Sequence, residues 1–258
     1  MTTPFSHSKT EFYLTTATEC PYLPGRQERK IFSFLGGPDA QMINSALSKR
    51  GFRRSQNILY LPACEMCNAC RPVRVKADEY QPSRSRKKIL KRNHDVTRII
   101  KPAKATAEQF SVLRAYLDSR HKDGGMSDMT VLDYTSMVEQ TAVETSLIEY
   151  WLDHGTEEAK LIGCSLTDHL DDGLSMVYSF FDPDYKRRSL GTLMILDHIE
   201  MVKEFSLPHL YLGYWVRGSR KMSYKADFQP AEILTSRGWR QMLPSELNPP
   251  MRRPAADS

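Results

Sequence analysis

The sequence has no run of about 18 consecutive apolar residues, so no segment of it is expected to span a membrane as a helix. Its first residues, MTTPFSHSKTEFYL, lack the basic stretch and apolar stretch of a secretory signal. Cysteines are few, five in 258 residues. Without a sign of secretion they read as reduced thiols or metal ligands, not as a disulfide framework. The expectation is a cytoplasmic protein. No internal repeat is visible.

What is present is ordinary in amount and uneven in placement. Hydrophobic residues make up 40% and charged residues 26%, a balance that supports a folded core. The length suits one large domain or two modest ones. Residues 128–172 hold eleven acids and one base, Lys160, a local charge of −10; against the overall +5 the rest of the chain carries +15. The densest basic stretch is RSRKKILKR, residues 84–92, with six bases and no acid. Such a concentration suits a phosphate-rich partner, although a solvated helix face carries the same pattern.

Periodicity predicts strands over 29–35, 57–63, 72–80 and 95–103, with a helix from Asp39 to about Arg50 and another over 85–93. After residue 104 it predicts a helix over 106–121 capped by Thr106, a Gly-rich break KDGGMSD, and a shorter helix over 131–140. Strands over 146–153, 160–170 and 174–181 follow. The loop DPDYKRRSLG then feeds a helix over 190–205, and strands at 208–216 and 231–234 close the pattern. The Pro-rich end, 244–258, reads as disordered.

The predicted class is α+β. An N-terminal α/β domain with the cysteine motif (1–103) would pack on an N-acetyltransferase-like (GNAT-like) acyltransferase domain (104–243). Three antiparallel strands, a loop, a helix and a strand are the order of that acyltransferase fold. Its loop usually cradles a pyrophosphate at the helix N-terminus and needs small residues there. Here Arg188, Ser189, Leu190, Gly191, Thr192 and Leu193 occupy it, and Leu193 stands where Gly or Ala is usual. That weakens a coenzyme A reading.

Several segments carry a more specific likeness. YSFFDPDYKRRSLGT (178–192) and YLGYWVRGSRKMSYKADFQP (211–230), with CPYLPGR (20–26), YLPACEMCNACRPVRV (60–75) and YQPSRSRKKILKRN (80–93), resemble the arginyl-tRNA–protein transferase family. The cysteine triplet followed by Arg-Pro is similar to its bacterial branch, the leucyltransferases that act on N-terminal aspartate or glutamate. The resemblance implies transfer of leucine from leucyl-tRNA to the N-terminal amine of proteins beginning with Asp or Glu, marking them for degradation by the N-end rule. It implies no coenzyme A.

The residues suit that chemistry. An aminoacyl ester is already activated, so no cofactor is required, and positioning can supply most of the acceleration. Candidate catalytic groups are Asp182, to hold and deprotonate the amine, and Tyr178, Tyr214, Lys221 and Tyr224, to stabilise the oxyanion or protonate the leaving group. Core packing is the competing role for Tyr178 and Tyr214, turn formation for Asp182, and phosphate contact for Lys221. Arginine binds a carboxylate bidentately, so Arg26, Arg71 and Arg74, with Tyr22, are the candidates for reading the acidic acceptor. Arg84, Arg86, Lys87, Lys88, Lys91 and Arg92, with Lys186, Arg187 and Arg188, are the candidate tRNA contacts.

The cysteines Cys64, Cys67 and Cys70 are separated by two intervening residues each and fall one short of a four-ligand zinc or iron–sulfur site. The resemblance implies a fourth ligand at Cys20. A metal-free thiol cluster lining the acceptor pocket is the other reading. Cys164 reads as a buried small hydrophobe, and His94 and His169 as surface histidines. Two other functions compete: a coenzyme A-dependent N-acetyltransferase with a metal-binding N-terminal domain, and a non-enzymatic RNA-binding module.

Overall fold

A computed structural model describes residues 10–120, 128–219 and 221–247. In chain order the elements are β1 (Tyr13–Leu14), β2 (Thr18–Glu19), β3 (Gln27–Glu28), β4 (Lys30–Phe34), α1 (Ala40–Lys49), β5 (Arg53–Ser55), β6 (Ile58–Pro62), β7 (Cys70–Lys76), α2 (Arg84–Arg92) and β8 (Val96–Pro102). There follow α3 (Ala107–Arg120), α4 (Val131–Glu139), β9 (Thr145–Leu152), β10 (Lys160–Leu170), β11 (Gly173–Phe181), α5 (Leu190–Glu204), β12 (His209–Val216), β13 (Ala231–Thr235) and β14 (Gly238–Gln241). The class is α+β, as expected.

Eight strands form one sheet in the order β14-β13-β7-β12-β11-β10-β9-β8. Strands β7 and β8 come before residue 104, so the sheet crosses the boundary expected there. Alternation of Val73 and Val75 with Arg74 and Lys76 predicts the half-buried strand correctly, but not that its partners are β12 and β13. A smaller sheet, β1-β4-β6-β5, and α1 dock beside it. The joint is polar: the buried guanidinium of Arg54 donates to both oxygens of Asp168 on β10, at 2.6 and 2.5 Å.

Amphipathic elements place the cores. One face of the large sheet buries α5 through Leu193, Met194, Ile199 and Val202, with Ile89 and Leu90 of α2 against it. The other face packs Leu113 and Leu117 of α3 and Tyr134 and Val138 of α4 on Leu166 and Phe180. Local caps agree with the sequence. Thr106 Oγ1 accepts from the amide of Gln109, while Gln109 Oε1 accepts from the amide of Thr106. Thr130 and Asp133 do the same at α4.

Three expectations need correcting or limiting. Residues after 235 form a hairpin, β13–β14, that the pattern did not separate. Pro244–Glu246 is an ordered 3-10 turn held by the Arg240–Glu246 ion pair at 2.6 Å. The remainder of the expected tail, from 248 on, and the Gly-rich break except Asp128 lie outside the described residues. His169 is half-buried, bonded to Ser146 Oγ at 2.8 Å and stacked on Phe205, so it is not a free surface histidine. Cys164 is fully buried, as expected. Among the described residues no helix is long and apolar enough to cross a membrane.

Candidate active site

Strands β11 and β12 run parallel, but their pairing stops after Ser175–Tyr211. Beyond that point β11 continues to Phe181 and β12 to Val216 with no ladder between them. The split therefore opens toward the C-terminal ends of both strands. One side of its mouth is the 3-10 turn Pro183–Arg188, the other the 3-10 turn Ser223–Asp227.

Arg53, on β5, reaches in where the pairing stops. Its guanidinium donates to Met176 O at 2.5 Å and to Ser175 Oγ at 3.2 Å. It can do so because residue 213 is glycine. Gly213 has φ +77° at a bulge in β12, and a Cβ there would lie 2.8 Å from Arg53 Nε. Opposite it, Lys225 is 8% exposed and donates to Tyr214 O at 2.9 Å. Burial and the neighbouring Arg53 charge pull its ammonium down to about 7.

The candidate catalytic residues fall in two groups. Asp182 sits at the mouth, accepts from the amide of Asp184 at 2.9 Å and lies 3.3 Å from Lys160 Nζ. Its turn role is realised, and its carboxylate is mostly covered and paired with Lys160. Lys221 and Tyr224 are exposed on the opposite lip. Tyr178 is packed on the α3 face, where burial raises its phenol well above the ordinary range. Tyr214 faces the small sheet, its hydroxyl directed at Gly51 O (3.0 Å) and Tyr60 O (3.1 Å), and burial raises it too. These two phenols stay protonated near neutrality, so neither acts as a base.

The acceptor candidates separate. Arg74 is engaged elsewhere, with Glu232 at 2.7 Å, Asp172 at 3.6 Å and its guanidinium over Trp239. Arg26 donates to Cys67 Sγ at 3.2 Å. Arg26 and Arg71 line a cavity of about 250 Å³ with Cys20, Cys64, Cys67 and Cys70. Tyr22 is near Arg53 and Tyr60.

All four N-terminal cysteines therefore face one space. Burial pushes the Cys70 thiol up to about 12, helped by Cys20, Cys64, Cys67 and Glu28. The Cys67 thiol is held below its usual value by the amide of Ala69 and by Arg26. Among the described residues, however, no three His, Cys, Asp or Glu side chains converge closely enough to hold a metal ion. As the chain lies, the donor set does not close around a metal, and no step below passes through one.

The tRNA candidates form one basic surface. Arg84, Lys87, Lys88, Lys91 and Arg92 of α2 are exposed, as are Lys186 and Arg187. Arg86 is partly covered, its guanidinium over Phe228 and bonded to Asp227 O. Arg188 pairs bidentately with Asp95 at 2.8 Å, which holds that carboxyl below its ordinary range. Arg92 donates to Arg187 O and Asn93 to Arg188 O, so α2 is fastened over the loop. Leu193 is buried in the core, so its side chain does not obstruct the loop, contrary to the sequence argument.

Two family models match: "Arginine-tRNA-protein transferase, N terminus" over residues 18–88 and "Arginine-tRNA-protein transferase, C terminus" over 108–235. The chain belongs to this transferase family. Within it, aspartate/glutamate leucyltransferases are strongly similar. That of Rhizobium leguminosarum is 54% identical over 92% of this chain and 94% of its own. That of Afipia carboxidovorans is 55% identical over 92% and 95%. That of Caulobacter vibrioides is 54% identical over 99% and 92%. A solved structure, L-PGS from Bacillus licheniformis, is 12% identical with a TM-score of 0.41 over 73% of this chain and 58% of that one.

Sequence reasoning missed Arg53, Tyr60 and Lys225 in this transferase. Lys225 carried one readable signal: Ala226 and Phe228 beside it mark a segment that turns inward.

Proposed function

We propose that the protein transfers leucine from leucyl-tRNA to the N-terminal amine of proteins beginning with aspartate or glutamate. The chain's family, and relatives named for that reaction over nearly their whole length, support the reading. The structural observation that carries it is the open split between β11 and β12 with a basic surface at its mouth. The tRNA phosphates meet α2 and Lys186–Arg187, and the aminoacyl end enters between the strands.

The acceptor amine has an ordinary pKa of about 7.7–8.0, so near pH 7 roughly a tenth is free base. Asp182 takes one proton from the ammonium form, which frees the lone pair that attacks the ester carbonyl, and the nitrogen's next proton passes to the departing 3′-oxygen. The C–N bond forms, the C–O bond to the ribose breaks, and the tRNA 3′-oxygen leaves as a hydroxyl. Lys221 and Tyr224, exposed at the mouth, donate to the developing oxyanion or the leaving oxygen. The ester supplies the driving force, so the reaction as read requires no cofactor. The product is a protein with an N-terminal leucine, a mark for the degradation machinery of the cytoplasm.

The test is incubation with radiolabelled leucyl-tRNA and peptides beginning with Asp, Glu or Ala. Label on the Asp and Glu peptides alone is expected. Label on none of them sinks the proposal.

A further inference from the structure

Two cations flank the same short stretch of β12: the Arg53 guanidinium lies over Gly213, and Lys225 donates to the carbonyl of Tyr214. Lys225 has one hydrogen bond, to Tyr214 O, and Arg53 has bonds only to backbone carbonyls and Ser175. Among the described residues neither forms an ion pair, although nearby Glu28 is paired with Lys30 at 2.9 Å. Arg53 lies within electrostatic reach of Lys225, Tyr214 and Tyr22, and Cys70 lies within reach of the same three. Tyr60 is Arg53's cross-strand partner, its ring 6.3 Å from that of Tyr214.

A buried ammonium beside a guanidinium is unfavourable by desolvation and by repulsion. An anion between them removes both penalties, and charge-assisted hydrogen bonds from two cations hold a carboxylate firmly. The cysteine cavity adjoins this place, because Cys70 belongs to both.

We propose that Arg53 and Lys225 form the site for the side-chain carboxylate of the acceptor's N-terminal Asp or Glu. This replaces Arg74, whose guanidinium already carries two carboxylates, and it leaves Arg26 and Arg71 to the cysteine cavity. The inference rests on the transferase reading. It explains how acidic residues are selected over their amides: Asn and Gln present the same shape without the negative charge that Lys225 lacks as a partner.

The experiment compares peptides beginning with Asp and Asn, using leucyl-tRNA and the full chain. For Lys225→Met, the preference in kcat/KM for Asp over Asn should fall at least tenfold, mainly through KM for the Asp peptide. Binding of leucyl-tRNA should stay as in the wild type, and Lys225→Arg should restore much of the preference. A folded, tRNA-binding Lys225→Met that keeps the full preference overturns the inference. A second measurement needs no variant. In the wild type labelled at lysine, NMR titration of Lys225 should move to higher pH with the Asp peptide bound and not with the Asn peptide. An unmoved titration under saturating Asp peptide also overturns it. A wild type that transfers leucine to no peptide refutes the transferase reading itself, an outcome distinct from either of these.

Discussion

The guanidinium of Arg53 occupies the place where residue 213 would carry its side chain: a Cβ on Gly213 would meet Arg53 Nε at 2.8 Å and Cζ at 2.9 Å. With φ at +77°, the backbone there also disfavours any other residue. Gly213→Ala is therefore expected to lower stability by about 1–3 kcal/mol and to displace Arg53 from Met176 O. Thermal melting checks the first effect. Because the displaced group lies in the split, transfer activity should fall by more than the loss of folded protein accounts for.

The ion pair of Arg54 with Asp168 is fully buried, with Thr145 Oγ1 also donating to the carboxylate at 2.9 Å. Removing one partner leaves a buried charge alone, at a cost of about 3–5 kcal/mol. Arg54→Leu and Asp168→Leu should each destabilise by that order. The double substitution should cost clearly less than the two together, which urea unfolding of the four proteins will measure.

Lys225 gives a pH dependence with a definite sign. Its ammonium titrates near 10.5 when unfolded and at about 7 when folded. Between these values the unfolded chain holds a proton that the folded chain has lost, so this group's contribution makes stability rise with pH across that window. Below it the full penalty of burying the ammonium applies. Lys225→Met should accordingly gain most over the wild type near pH 6 and least near pH 10, by urea midpoints. An advantage that grows with pH would contradict the buried cation.

Lys87, Lys88 and Lys91 are exposed and form no ion pair among the described residues, whereas Arg188 is tied to Asp95. Replacing the three lysines with glutamine should flatten the salt slope of tRNA binding by about 0.7–0.9 for each phosphate they cease to neutralise, with melting unchanged. Arg188→Gln should instead lower the melting temperature, since it removes the bidentate pair with Asp95 and leaves that carboxylate without its partner.

Much of the fold was legible because its elements are locally consistent. The helix at Ala107–Arg120 announces itself by its cap Thr106, that at Val131–Glu139 by its apolar spacing, and the strands at 146–153, 160–170 and 174–181 by short apolar runs. The short strands Tyr13–Leu14, Thr18–Glu19 and Gln27–Glu28 were not, since two residues carry no period. Nor was the partner of β7, because alternation shows that a strand is half-buried without showing what lies beside it.

The site divides in the same way. Residue types and order alone bound the chemistry: a basic helix for phosphate, an Asp-Pro-Asp turn before a helix, four cysteines in two motifs, and a resemblance carried by contiguous letters. Which arginine is available is a property of three-dimensional neighbours. Arg74 and Arg53 look alike in the sequence, but Glu232, 158 positions away, neutralises the first. The second lies over Gly213, next to the Tyr214 carbonyl that holds Lys225. Charge compensation acts over a few ångströms of space and is indifferent to distance along the chain, so only the tertiary structure could decide it.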